Sequence, residues 1–137
     1  MNNMCDYKLA TRSVLTEHNR LVTPEIQKAL AAYPLYSQDS KGKDAVCVAV
    51  FYLGSVRWYI LEGQQEGSDF TFYGIVAGLY ETEYGYISAN ELASITYDAR
   101  KYGLGVLRVE RYKDFKPRRL ADIDDEGLQA FLSRIYG

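Results

Sequence analysis

AVCVAVFYL, residues 45–53, is the stretch from which the fold is read. It is apolar at both parities and rich in β-branched residues. A strand with only one buried face would alternate, so this one is expected to be central and covered on both faces. Gly54-Ser55 then signals a turn, and Val56 to Glu62 returns as a second strand, with Trp58 and Ile60 on one face and Arg57 and Tyr59 on the other. Gly63 to Ser68 reads as a loop. Asp69 to Leu79 reads as a third strand, with Gly74 and Gly78 as the positions for a bulge or a bend. Glu83 to Ile87 gives a fourth strand, and Val106 to Tyr112 a fifth.

Helical patterns flank and interrupt these strands. Thr23-Pro24-Glu25 is a helix start: Thr caps, Pro tolerates the first turn, and Glu suits the positive end of the helix dipole. Ile26, Ala29, Leu30 and Tyr33 follow on one face, and Pro34 stops the helix. Ser88-Ala89-Asn90-Glu91 has capping-box spacing, with Leu92, Ile95 and Ala99 as the inner face of a second helix. A third starts near Asp124 and carries the stripe Leu128, Phe131, Leu132 and Ile135. The expected fold is a single α+β domain with a curved, mainly antiparallel sheet of about five strands. Its helices lie near the N-terminus, between strands 4 and 5, and at the C-terminus. Residues 1–20 are weakly patterned and read as a loosely ordered arm, 21–117 as the core, and 118–137 as a C-terminal helical extension.

At 137 residues and 47% hydrophobic content, the chain is long enough to bury about two-thirds of its unfolded surface without disulfides or metal. Sixteen Lys+Arg against eighteen Asp+Glu exclude a polybasic nucleic-acid tail and a strongly acidic DNA mimic as descriptions of the whole chain. Cys5 and Cys47 are too few for a disulfide framework or a zinc site, and Cys47 reads as a small buried hydrophobe. A reduced, cytoplasmic protein is the expectation. No signal peptide is read in residues 1–20, and the longest apolar run, nine residues, is far short of a membrane span.

No reactive constellation is legible. The single histidine, His18, sits in the polar arm. Phosphate-loop, dinucleotide and nucleophile-elbow motifs are missing, so no catalytic residue, metal ligand or cofactor is assigned. Among carboxylates, Glu62, Glu66 and Asp69 are expected at one end of the meander and Glu81 and Glu83 at the other, too far apart to converge. Two binding candidates remain. Tyr33-Pro34-Leu35-Tyr36-Ser37-Gln38 places rings and hydrogen-bonding groups at a chain reversal, where Tyr36 is a candidate to line a pocket beside Trp58 and Tyr73; the same rings would also serve to pin the first helix to the sheet. RVERYKDFKPRR, residues 108–119, interleaves Arg111, Lys113, Lys116, Arg118 and Arg119 with Tyr112 and Phe115. Basic groups alternating with rings suit a phosphate backbone, an acidic protein surface, or a solvated edge kept from aggregating by its charges.

Several phrases in order complete the reading. Tyr33 to Gln38 follows the Thr23-Pro24-Glu25 helix; then come Phe51, Trp58-Tyr59, Phe72-Tyr73-Gly74, Glu83-Tyr84-Gly85-Tyr86-Ile87-Ser88, Glu91-Leu92 and Val109-Glu110-Arg111. Over roughly Leu21 to Pro117 the chain resembles the domain-of-unknown-function 2958 family of small bacterial proteins. That resemblance implies carriage by phages, plasmids and integrative conjugative elements, and transfers no catalytic residues. Two features depart from it: Tyr112 stands where the family often has Asp, and Leu120 to Gly137 adds a helix. The expectation is a non-enzymatic accessory protein of a mobile element that binds another protein, with no membrane association. Nucleic-acid binding through 108–119 and a small hydrolase or nucleotide-handling enzyme built on Glu62, Glu81, Glu83 or Glu110–Arg111 are the alternatives. The thirteen tyrosines, if contiguous on the surface, are compatible with a homodimer.

Overall fold

The computed structural model describes residues 19–78 and 80–137. The readings of Cys5 and His18, and most of the expected arm, lie outside the described residues. Asn19 and Arg20, counted with that arm, are instead tied down. Asn19 is buried, and its amide donates to Asn90 Oδ1 at 2.8 Å. The Arg20 guanidinium donates to the Val109 carbonyl.

Helix α1 is Pro24–Leu30, capped by Thr23, whose hydroxyl accepts the N–H of Ile26 at 3.1 Å. The strands follow as β1 (Val46–Cys47), β2 (Ala49–Leu53), β3 (Val56–Glu66), β4 (Asp69–Ala77) and β5 (Glu83–Ser88). Helix α2 is Ala89–Ser94. Then come β6 (Thr96–Asp98), β7 (Val106–Arg108), β8 (Glu110–Arg111), β9 (Arg118–Arg119) and helix α3 (Glu126–Tyr136). β2 to β5 form an antiparallel meander, and β8 joins beside β2, giving the order β5-β4-β3-β2-β8. β1 pairs with β9, and β6 with β7. The chain is an α+β domain with helices in its N-terminal region, middle and C-terminal region. No helix among the described residues is long and apolar enough to cross a membrane.

The double-sided reading of residues 45–53 explains the layering. Ala49 and Phe51 face one core with Trp58, Ile60 and Phe72, covered by Ile26 and Leu30 of α1 and Leu92 of α2. Cys47 and Val50 face a second core with Tyr59, Leu61 and Ile75, covered by Leu120, Ile123 and the Leu128, Phe131 and Leu132 stripe of α3. Each large apolar side chain buried this way contributes about 1.5–3 kcal/mol. The C-terminal helix is thus half of the core's cover rather than an appendage. Its last stripe residue, Ile135, is exposed. Cys47 is fully buried, and burial pushes its thiol up to about 12, which leaves it unreactive.

Asp125 joins α3 to the sheet. It caps the helix, accepting the N–H of Leu128 at 2.9 Å, and also accepts the hydroxyl of buried Tyr59. Burial pushes the Asp125 carboxyl up, but the bonds from Tyr59 and from the N–H groups of Leu128 and Gly127 outweigh it and hold it below its ordinary value. A depressed carboxyl contributes stability above its unfolded pKa, about 3.9, and that contribution fades as pH falls through the folded value. Asp125→Ala is therefore expected to cost about 1–2 kcal/mol at neutral pH. In thermal melts the gap between the variant and the parent should narrow on acidification below about pH 4. A gap independent of pH would remove the ionised carboxylate from this account.

Three expected elements are redrawn. β3 does not end at Glu62 but continues to Glu66, so the loop read at 63–68 shrinks to a turn at Gly67 and Ser68. The second helix ends at Ser94 because its chain turns directly into β6; Ile95 is exposed, although Ala99 is buried as expected. The strand read at 106–112 breaks at buried Val109: its first part pairs with β6, and Glu110 and Arg111 join the main sheet, with the Tyr112 N–H donating to the Val50 carbonyl at 3.0 Å.

β3 also carries a bulge. Ile60 lies opposite Gly74 and Glu62 opposite Tyr73, so Leu61 is an extra residue. Without it, alternation from Trp58 and Ile60 would aim Glu62 into the first core. The bulge turns it to the face of Tyr73, re-aiming a side chain as bulges do. Gly74 accommodates the distortion: a Cβ there would lie 1.9 Å from the Tyr59 carbonyl oxygen.

Candidate functional site

The candidate pocket of Tyr36, Trp58 and Tyr73 does not assemble. Trp58 is buried in the first core, whereas Tyr73 faces the opposite side of the sheet. Tyr36 and Tyr73 do share a neighbourhood. The Tyr86 ring lies 6.5 Å from that of Tyr36 and 4.9 Å from that of Tyr73, and Tyr73 stacks on Tyr84 at 5.9 Å. The Tyr84 and Tyr136 hydroxyls are 2.7 Å apart. Five tyrosines from the 33–38 loop, β4, β5 and α3 therefore form one surface.

Beneath it lies Glu62, only 2% exposed. Its two oxygens accept the backbone N–H groups of Tyr36 at 2.7 Å and Gln38 at 2.8 Å. Among the described residues no Lys or Arg makes a salt bridge to it. Gln38, also buried, donates to the carbonyls of Val46 and Leu61 and accepts the N–H of Val46, so the loop is stitched to β1 and β3. Tyr36 and Ser40 have φ of 74° and 71°, the non-glycine positive values among the described residues, and lie in this loop and just after it. Such backbone strain tends to cluster where a segment has a task. A cleft of about 180 Å³ opens here, lined in part by Asp39, Ser40, Glu62, Tyr73, Tyr84 and Tyr136. Burial and the charge of Glu62 raise the Tyr73 phenol; burial and the bond to Tyr136 raise that of Tyr84. Both phenols stay neutral at physiological pH.

The basic segment divides. Arg111 pairs with Glu25 at 2.6 Å, Arg119 with Asp122 at 3.0 Å and Asp44 at 2.9 Å, and Arg108 with Glu110 at 3.1 Å. Glu110 and Arg111 are not partners of each other. Tyr112 stacks on Tyr52 at 4.3 Å, with the Arg57 guanidinium over both rings. Arg118 lies 4.7 Å above the Phe115 ring. Lys113, Lys116 and Arg118 are exposed and make no salt bridge among the described residues.

Of the carboxylates, Glu62 leaves the strand end it was expected to share with Asp69, while Asp69 and Glu83 lie at opposite ends of β4 as read. Glu62 is buried mid-strand, Asp69 accepts from Ser88 and from the N–H of Asn90, and exposed Glu83 pairs with Val76 at the far end of β4. Among the described residues no group of three or more His, Cys, Asp or Glu is placed to hold a metal ion.

One surface escaped the sequence reading. β6 and β7 form a ribbon hydrogen-bonded to no other strand among the described residues, closed by a 3-10 turn at Arg100–Tyr102 and by Gly103 and Gly105, with φ of 76° and 72°. Ile95, Tyr97, Tyr102, Leu104 and Val106 on and beside it are 39–63% exposed. The two closely spaced glycines were its available signal. No family model matches the chain, and no match to it is found among curated proteins or solved structures.

Proposed function

We propose that this chain is a non-enzymatic accessory protein of a mobile genetic element that acts by binding another protein through the β6–β7 ribbon. The observation that carries this reading is the exposure of Tyr97, Tyr102, Leu104 and Val106 on a ribbon whose outer edges pair with no other strand among the described residues. Large apolar side chains gathered at one place mark contact surfaces, tyrosine is enriched in binding hot spots, and a free strand edge offers backbone groups to an added strand. The setting rests on the resemblance of the chain to mobile-element proteins. Nucleic-acid binding by 108–119 is the weaker reading, because Arg108, Arg111 and Arg119 already hold carboxylates.

The test is affinity capture from bacterial lysate with the parent chain and with Tyr97→Ser/Leu104→Ser/Val106→Ser. The expected result is a stoichiometric protein partner held by the parent and lost from the variant, whose stability changes by no more than about 0.5 kcal/mol per site. Equal capture by both chains, or no partner with the parent, would overturn the proposal. Salt-sensitive retention of DNA or RNA in place of a protein would favour the basic segment instead.

A further inference from the structure

We infer that the cleft between Tyr73, Tyr84 and Tyr136 is a binding site for a small alkylammonium ion, with Glu62 as the counter-charge. It shares no lining residue with the β6–β7 ribbon and does not depend on that reading.

Charge comes first. Among the described residues the lining contains two carboxylates, Glu62 and Asp39, and no Lys, Arg or His. An anionic ligand would meet like charges there. Glu62 is nearly inaccessible, yet among the described residues it makes hydrogen bonds only to the two N–H groups of Tyr36 and Gln38. A carboxylate offers about four lone-pair sites, so roughly half its accepting capacity is unspent. A buried charge without a counter-ion is costly, and a cation in the adjoining cleft relieves that cost.

The walls then select the kind of cation. Calcium or magnesium takes six or more oxygens at close range, and among the described residues no three His, Cys, Asp or Glu side chains converge here. Three tyrosine rings border the cleft instead. Ring faces carry negative quadrupole density and attract cations; where the cation bears methyl groups, the same rings also bury apolar surface. A trimethylammonium group satisfies both demands, whereas a bare ammonium gives up more hydration. At about 180 Å³ the cleft is smaller than the ~300–1,000 Å³ of drug-sized sites, which suits a headgroup-sized ion. The positive-φ residues sit at this site: Tyr36 supplies one Glu62 donor and Ser40 part of the wall, where stored backbone strain tends to cluster.

Choline chloride titrated into the full chain, followed by amide NMR shifts, is the direct test. Its uncharged isostere dimethylbutanol, in which tert-butyl replaces trimethylammonium, and sodium chloride at equal ionic strength are run beside it. Choline is expected to saturate one site, with shifts at Tyr36, Gln38, Glu62 and Tyr73, and to bind at least about tenfold more tightly than the isostere. Tyr136→Leu should weaken choline by about threefold to thirtyfold. Tyr136 is 42% exposed and touches neither Glu62 bond, so this variant keeps the fold even where Glu62→Gln disturbs it. Vesicles of phosphatidylcholine form a separate arm: co-sedimentation assigns the ammonium to a lipid headgroup, and its absence alongside choline saturation assigns the free ion. No saturable shift with choline, equal affinity for the isostere, or unchanged affinity in Tyr136→Leu would overturn the inference.

Discussion

Gly74→Ala is expected to lower stability by about 3 kcal/mol or more, and the matched change Gly85→Ala by no more than about 0.5 kcal/mol. The two glycines lie directly opposite each other in β4 and β5. They differ in what a methyl group would meet. At Gly85 nothing among the described residues lies within 4 Å; at Gly74 the methyl would sit 1.9 Å from the Tyr59 carbonyl oxygen and 3.1 Å from the Ile60 Cα. Those neighbours are backbone, so no rotamer change relieves the overlap. β3 and β4 must separate at the bulge, and Tyr59 then moves away from the Asp125 carboxylate that caps α3. The loss should therefore reach both cores. Urea denaturation would show it as a lower midpoint at an unchanged slope. Equal costs at the two positions would mean that the strands close over a methyl at Gly74 without strain.

Glu62→Ala is the second large loss, about 3–5 kcal/mol, with Glu62→Gln intermediate. Each oxygen holds one backbone N–H from the 33–38 loop, and hydrogen bonds to a charged group contribute about 1.5–3 kcal/mol each. Alanine leaves both donors unpaired, and that of Gln38 is buried. Glutamine keeps one acceptor and presents an NH2 to the other donor. Gln38 is the link through which the loop reaches Val46 and Leu61, so its loosening should spread along β1. Hydrogen exchange reads this directly: the amides of Tyr36, Gln38 and Val46 should lose protection together. Retained protection at all three in Glu62→Ala would show that the loop is held without the Glu62 bonds, by the Gln38 side chain and its rings.

These two positions also mark where the sequence ceased to be legible. Residues 45–53 had to be covered twice because apolar groups stood at both parities, and the stripe from Leu128 to Leu132 supplied the second cover. The caps at Thr23 and Ser88 were readable because a hydroxyl three residues before an orphan N–H has one geometric use. A bulge has no such mark. It is a backbone displacement, and the glycine that permits it lies on the neighbouring strand. Reading Gly63 to Ser68 as a loop put Glu62 at a hairpin end, where the structure has it buried in mid-strand. The pairing of Trp58 with Tyr73 failed for a related reason: the two belong to different strands, and only the register assigns them to opposite faces. β6 was hidden because Leu92, Ile95 and Ala99 fit helical spacing, while Ile95-Thr96-Tyr97 also suits a strand. The charges of 108–119 were visible, but not the partners that neutralise three of them, which come from α1, from the residues before β1, and from nearby in the chain.

Cover of the two sheet faces by segments from opposite ends of the described chain sets an order of assembly. During synthesis, α1 emerges before the meander, and the first face can close once Val109, the last residue of its core, has left the ribosome. The second face must wait until residues 128–132 follow, roughly 20 residues later in translation, or about one to four seconds at about 5–20 residues per second. For that interval Val50, Leu61 and Ile75 remain open to solvent, which makes the nascent intermediate the state in which this protein is most exposed to chaperones and to aggregation.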